Sequence, residues 1–414
     1  MNGKRTKVFQ KHNNLTSAVS DTGISNESDN YNYFYDHISV FYRILSLVLI
    51  VAFLFYIVFT SFNNAAEFSY ENFEYIVRNF ALSLEENKDD SVYSIKYNPD
   101  SNRHYALFGK GLAVCGNSGI SIFSATGRLT CSDSFPYKNP RIASSDKYVL
   151  VYDYSGSEYS IYNAFSRAYS EKISEVIRGA AVSDDGYYAL ITSSEKYNTA
   201  VELYDDTFSL INKFNKNGFV VDIDINNTYL IIATASESAD NSFVADIQVF
   251  DIAEQCELFS VSSENNFPLE CGFTADGFAL VGNNYAEFYS LNGSIVATYD
   301  YDGKVPFNFS LKREGIVILF KDQGYNSKYT AVVLNDFGEV QYTQEYSTTV
   351  YDVEICREWS YYLTEQKLIC TDGSTVHEFE LDGIVAGNSL LSSDQGEVYI
   401  CTDTEAPLFI LPSN

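Results

Sequence analysis

The chain of 414 residues reads as an all-β protein: a β-propeller of eight blades, with seven as the alternative count, preceded by one transmembrane helix and a short amphipathic stalk helix. Three observations predict this. Aromatic residues make up 16% of the chain, as 34 Tyr, 30 Phe and a single Trp, and with Val and Ile they favour extended backbone. A phrase of strand, polar turn and strand recurs: AVSDDGYYALIT at 181–192 returns as CGFTADGFALVG at 271–282. One uncharged apolar run, ILSLVLIVAFLFYIVFTSF, fills 44–62.

The elements follow in order. Residues 1–43 hold five Lys and Arg against four acids, about +1, and the remainder holds 22 against 51, so −29 of the net −28 lies beyond the tail. The tail is rich in Ser, Asn, Asp and Thr without a hydrophobic period and is expected to be mostly disordered. At ~1.5 Å per residue the run 44–62 reaches roughly 28 Å as a helix, enough for the hydrocarbon layer. A cleaved signal peptide is the rival. The long leader, and Asn64 rather than a small residue two before Ala66, favour an uncleaved anchor. Lys4, Arg5, Lys7, Lys11 and Arg43 precede the run and Glu67, Glu71 and Glu74 follow it, which keeps the tail cytoplasmic and puts the C-terminal bulk outside the cell membrane. Within 63–90, Phe73, Ile76, Val77, Phe80 and Leu84 share one helical face, the expected stalk, and the stripe is too short for a coiled coil.

The domain 91–414 is built from repeats. AVSDDGYYALIT continues into AVELYDD (200–206) and SLINKFN (209–215), a four-stranded antiparallel unit with an Asp-Gly turn. The same grammar fills 104–135, 140–173, 218–262, 268–300, 304–346 and 349–381, and a last copy ending in PLFIL lacks its fourth strand. SVYSIKYN (91–98) stands alone ahead of the first unit and is expected to supply that missing strand. Seven blades result if the first or last unit is not independent. A single four-stranded sheet with two apolar faces buries neither; a closed ring of such sheets buries both. A pair of β-sandwiches is the rival fold, and the unbroken grammar from 140 to 380 favours the propeller.

The segments HYALFGKGLAVCGNSGISIFSATG (104–127), AVSDDGYYALIT and VVDIDINNTYLIIAT (220–234), with one N-terminal span and an acidic exterior, give the chain its likeness. It resembles domain-of-unknown-function family 5711, single-pass membrane propellers of clostridia-like Gram-positive bacteria, over roughly residues 40 to 412. The resemblance implies a propeller and a cell-envelope location, and it brings no catalytic residue with it.

Motifs for chemistry are sparse. Only His104 and His377 follow the span, and no H-E-x-x-H, G-x-S-x-G or phosphate loop occurs, so no catalytic residue and no metal site are assigned. Calcium is the one cofactor with any support. YDYDG (299–303) and VDIDIN (221–226) space carboxylates closely, as a hard cation requires, but Asp222 and Asp224 alternate on a strand and no D-x-D-x-D-G loop is present. No cofactor is therefore expected. Seven Cys, an odd number without C-x-x-C, read as mostly free, buried thiols; Cys256–Cys271 is the one pairing considered. Trp359, within a strand, reads as core. The acidity argues against nucleic acid and anionic lipid as partners. With strands lettered a to d from the axis outward, the b–c loops TSSEKYNT (192–199), ASESADNS (235–242) and DQGYNSK (322–328) share one rim with the d–a loops. Loops on a rigid ring are where binding residues sit. Glu195, Tyr197, Glu237, Asp240 and Tyr325 are the expected partner-binding rim, facing an unknown protein or cell-wall component. The expected function is a non-catalytic binding or scaffolding module of the cell envelope; the alternative is an envelope glycan hydrolase or lyase.

Overall fold

The computed structural model describes residues 38–51, 53–54, 94–109, 111–238, 240–322, 328–381, 389–393 and 396–411. The chain divides into two units, 1–69 and 70–414. In the first, 38–51 and 53–54 are helical, and large apolar side chains such as Leu47, Leu49 and Phe53 are exposed. Among the described residues no helix is long and apolar enough to cross a membrane. Residues 55–62 of the expected span, the tail over 1–37 and the stalk over 63–90 lie outside the described residues.

In the second unit the described strands form eight antiparallel four-stranded sheets. Seven are consecutive in sequence, at 104–133, 140–172, 177–216, 219–264, 268–300, 306–346 and 350–380, and are numbered here as blades 1 to 7. Blade 8 takes three strands from 389–410 and its outermost from Ser94–Lys96. Ser94 lies opposite Pro407 and Lys96 opposite Glu405, so SVYSIKYN does complete the last blade and the count is eight.

Burial explains why these sequences become blades. Second strands such as Gly277–Gly282 (GFALVG) are buried throughout, whereas outer strands such as Val340–Tyr346 (VQYTQEY) are largely exposed. A continuous apolar run in a short segment is stable as a strand covered on both faces. The cover comes from the neighbouring blade. Eight separate apolar clusters fill the eight blade–blade interfaces; the cluster closing the ring joins Ile95, Tyr399 and Leu408 of blade 8 to Leu112, Val114 and Phe123 of blade 1. No blade has a core of its own, so each folds only against its neighbours.

The two opening phrases use glycine differently. Gly186 has φ +88°, the left-handed turn that Asp-Gly predicts. Gly277 has ordinary φ and is needed instead because a Cβ there would meet the carbonyl oxygen of Tyr289 at 1.9 Å. The c–d hairpins are tied by side chains: Asp205 accepts the N–H groups of Thr207 (2.9 Å) and Ser209 (2.8 Å), and Asp372 those of Ser374 (2.8 Å) and Thr375 (2.6 Å). None of the seven Cys is in a disulfide, and six of them are buried. The Cys256–Cys271 pairing is not formed: Cys256 opens the exposed outer strand of blade 4, and Cys271 is buried on the innermost strand of blade 5. Trp359 is half-buried, packed at the margin of the blade 7–8 core with its ring 5.4 Å from that of His377.

Candidate functional site: the axial channel and the b–c rim

Eight innermost strands surround the axis. In blades 3 to 7 each carries a β-bulge near its start, after which the register resumes at Gly179, Asp222, Glu270, Asn308 and Asp352. A bulge re-aims the side chain that follows it. In blades 4 to 7 the result is a set of polar groups at one level, Asp222, Glu270, Asn308 and Asp352. A cavity of about 450 Å³ is lined by Ala143, Ser144, Ala180 and Ala181 from blades 2 and 3 and by Asp222, Asp224, Glu270 and Lys312 from blades 4 to 6.

Most of these groups reach to the next blade. Asp222 accepts the N–H of Cys271 and Asp224 that of Phe273, both at 2.9 Å. Asn308 donates to Asp352 at 2.8 Å, and Asp352 accepts the N–H of Leu390 at 2.7 Å. Ser310 donates to Glu354 at 3.1 Å, and the Lys312 ammonium lies 3.0 Å from the same carboxylate. Neighbouring innermost strands belong to different sheets, so their facing N–H groups have no ladder partner. Buried backbone donors must be satisfied, and these carboxylates do it. Glu270 differs: it has no hydrogen-bond partner among those described. Burial, then the Asp222 charge, pushes its carboxyl up to about 8. Burial raises Asp222 to about 6 and also raises Asp224, while Glu354 raises Lys312. Glu270 therefore holds a proton near neutrality beside an ionising carboxylate. Asp300 of YDYDG accepts the N–H of Asp302 at 2.7 Å, and among the described residues no three His, Cys, Asp or Glu are grouped to hold a metal.

The expected rim residues stand on adjacent blades. Glu195 and Tyr197 are exposed in the b–c loop of blade 3; Glu237 ends the second strand of blade 4, and Asp240 lies in the loop that follows. Asp240 accepts the N–H (3.1 Å) and hydroxyl (2.7 Å) of Ser242, which hold its carboxyl below the usual range. No hydrogen bond or ion pair joins these four to one another among the described residues, and Tyr325 lies outside them.

Sequence reading missed two groups. Glu270, Asn308, Asp352 and Glu354 look unrelated until the repeats are aligned on the bulge, when they fall at two shared positions. On the rim, Phe219 and Phe243 begin strands, where Phe is read as core, yet they are 62% and 54% exposed.

No curated protein matches the chain. Among solved structures it is similar to BamB from Moraxella catarrhalis (TM-score 0.52, 10% identity, 78% of this chain and 98% of that one). It is also similar to Sqt1 from Saccharomyces cerevisiae (TM-score 0.55, 11% identity, 78% and 98%). The computationally designed Ika8 protein gives a TM-score of 0.56 at 12% identity, over 76% of this chain and 98% of that one. At such identities the likeness speaks to the fold alone. The profile of a family of unknown function, DUF5711, matches residues 85–405, and the chain belongs to that family.

Proposed function

We propose that the protein is a membrane-anchored, extracytoplasmic propeller that binds or scaffolds a partner through its b–c rim. The observation that carries this reading is the contrast between channel and rim. In the channel, Asp222, Asp224, Asp352 and Glu354 are occupied in joining blades. On the rim, large aromatic side chains and acids face water. Exposed aromatics on a rigid support are the usual anchors of an interface. The anchor itself is argued from the uncharged run 44–62 and the basic residues before it.

Two experiments test this. Cys256 is the one exposed thiol among the described residues. A membrane-impermeant maleimide should label it in intact cells; labelling only after lysis puts the propeller on the cytoplasmic side. Photo-crosslinkers at Tyr197 and Asp240 should capture a partner that the same probe at Asp185 or Asp276, on a–b turns, does not, and Glu195→Lys with Glu237→Lys should abolish capture. Equal capture from both rims counts against the rim.

A second reading, a glycan hydrolase or lyase, is favoured by Glu270 alone. A carboxyl raised to about 8 beside Asp222 is the pairing that acid–base cleavage of a glycosidic bond uses. Turnover of wall glycan by the purified protein, lost in Glu270→Gln with the fold intact, would establish it.

A further inference from the structure

The charge of the ring is uneven. From residue 217 to residue 303 the chain has no Lys, Arg or His and fourteen Asp and Glu. That stretch is blades 4 and 5, so a quarter of the ring carries half of the chain's net charge of −28 with no cation of its own. Lys216, at the boundary, is engaged by Gln248.

Blade 4 is also the tallest. Its second, third and fourth strands, Tyr229–Glu237, Phe243–Asp251 and Cys256–Glu264, have nine residues each, and no other described strand exceeds seven. The bulges give a common reference. Ile191 in blade 3, Ala233 in blade 4 and Leu319 in blade 6 hold the same place, opposite Gly179, Asp222 and Asn308. From there the second strand runs to Ser193 in blade 3 and to Lys321 in blade 6, but on to Glu237 in blade 4. Two further residues at ~3.4 Å each lift blade 4 above the b–c rim by roughly 7 Å.

The raised end is apolar and acidic together. Phe243 packs edge-to-face on Phe267 with centroids 5.2 Å apart, and Phe219 stands on the same rim of the same blade. Glu237 lies opposite Phe243 in the ladder, Glu264 opposite Val244, and Asp240 is in the loop between the strands; all three acids are exposed. Phe side chains left in water lose the free energy that burial would return, and cation-free acids raise the local concentration of cations. A second copy of this chain brings the same negative field, and anionic polymers are repelled. We propose that the raised rim of blade 4 binds a Lys- or Arg-rich protein segment that carries an apolar side chain between its charges. This rests on the reading of the b–c rim as the binding face. The apolar anchor enters against Phe219, Phe243 and Phe267, and the flanking cations meet Glu237, Asp240 and Glu264.

The test uses the full chain in detergent micelles and three fluorescein-labelled dodecapeptides, read by anisotropy at low and high salt. One alternates Lys pairs with single Leu; in the second each Leu is Ser; in the third each Lys is Glu. The Lys–Leu peptide should bind, weaken with salt, and lose ten-fold or more in affinity on Leu→Ser exchange in the peptide. It should lose as much in the variant Phe219→Ser/Phe243→Ser and in Glu237→Gln/Asp240→Asn/Glu264→Gln, and nothing in the control Phe337→Ser/Val340→Ser, which removes exposed apolar side chains at the opposite end of blade 6. The Glu–Leu peptide should not bind. All substituted residues are exposed, and a thermal melt matching the unsubstituted chain shows that each variant is folded. Binding that survives Phe219→Ser/Phe243→Ser, tight binding of the Glu–Leu peptide, absence of binding by every peptide, or self-association abolished by the same substitutions overturns the proposal. Capture from Tyr197 and Asp240 of a partner without a cationic segment overturns this inference and leaves the rim reading intact, whereas crosslinking shared equally by both rims overturns the rim reading itself.

Discussion

At the scale of single residues, the channel carboxylates do structural work that their type does not announce. Asp352 joins Asn308 of the blade before to Leu390 of the blade after. Asp352→Ala leaves the Leu390 N–H without its acceptor, which costs ~2 kcal/mol; urea unfolding of the full chain should show that loss, and an unchanged midpoint would remove the bridging role. Glu270 sets a pH dependence. Its carboxyl keeps a proton up to about 8 in the folded state, while in the unfolded chain it titrates at its ordinary value. The folded state therefore binds more protons in between. The stability from this group is complete below the ordinary Glu pKa and is lost as pH rises toward 8. Asp222, raised to about 6, adds a slope of the same sign at lower pH. Melting temperature should fall from pH 5 to pH 8, and Glu270→Gln should flatten that fall; an equal slope in the variant would show that general charge repulsion is the cause.

At the scale of elements, the closing strand is short and its contribution is concentrated. Ser94–Lys96 makes only three ladder pairs, yet Ile95 is 1% exposed, within the cluster that joins blade 8 to blade 1. Ile95→Ala should cost ~3 kcal/mol as a large-to-small core change, read by denaturant midpoint. Ile95→Asp should open the ring and leave the Glu405–Ile410 strand as an unpaired edge, visible as aggregation by size-exclusion chromatography. Retention of wild-type stability and size would show that the ring closes without this strand. The blades were legible at this scale because their apolar runs are separated by turn residues at regular intervals. SVYSIKYN was placed by arithmetic: one stray strand, and one blade lacking one.

At the scale of the whole molecule, stability and function draw on different parts of the ring. The eight inter-blade clusters bury apolar surface all around the circumference, whereas the exposed pair Phe219 and Phe243 lies within the cation-free sector, on blade 4. None of the seven Cys is in a disulfide, so no such bond braces the ring. The mass of the chain under denaturing conditions should be the same with and without reductant after alkylation, and a gain of two alkyl groups per bridge in the reduced sample would contradict this.

That the count is eight rather than seven is decided by the pairing of Ser94–Lys96 with Glu405–Ile410; the residue pattern carries the all-β class, the four-strand repeat and the expectation of a closing strand. These follow from local periodicity and turn chemistry, which short segments carry within themselves. Tertiary structure alone decided which groups share the channel and which aromatics face water. Asp222 and Cys271 are 49 residues apart and meet only when adjacent blades lie side by side. Phe219 and Phe243 carry the pattern of buried strand residues, yet they stand at the open end of blade 4, where the packing of Phe267 on Phe243 still leaves both rings more than half exposed. A strand's own residues dictate that it will be a strand; what its side chains touch is dictated by the blade beside it.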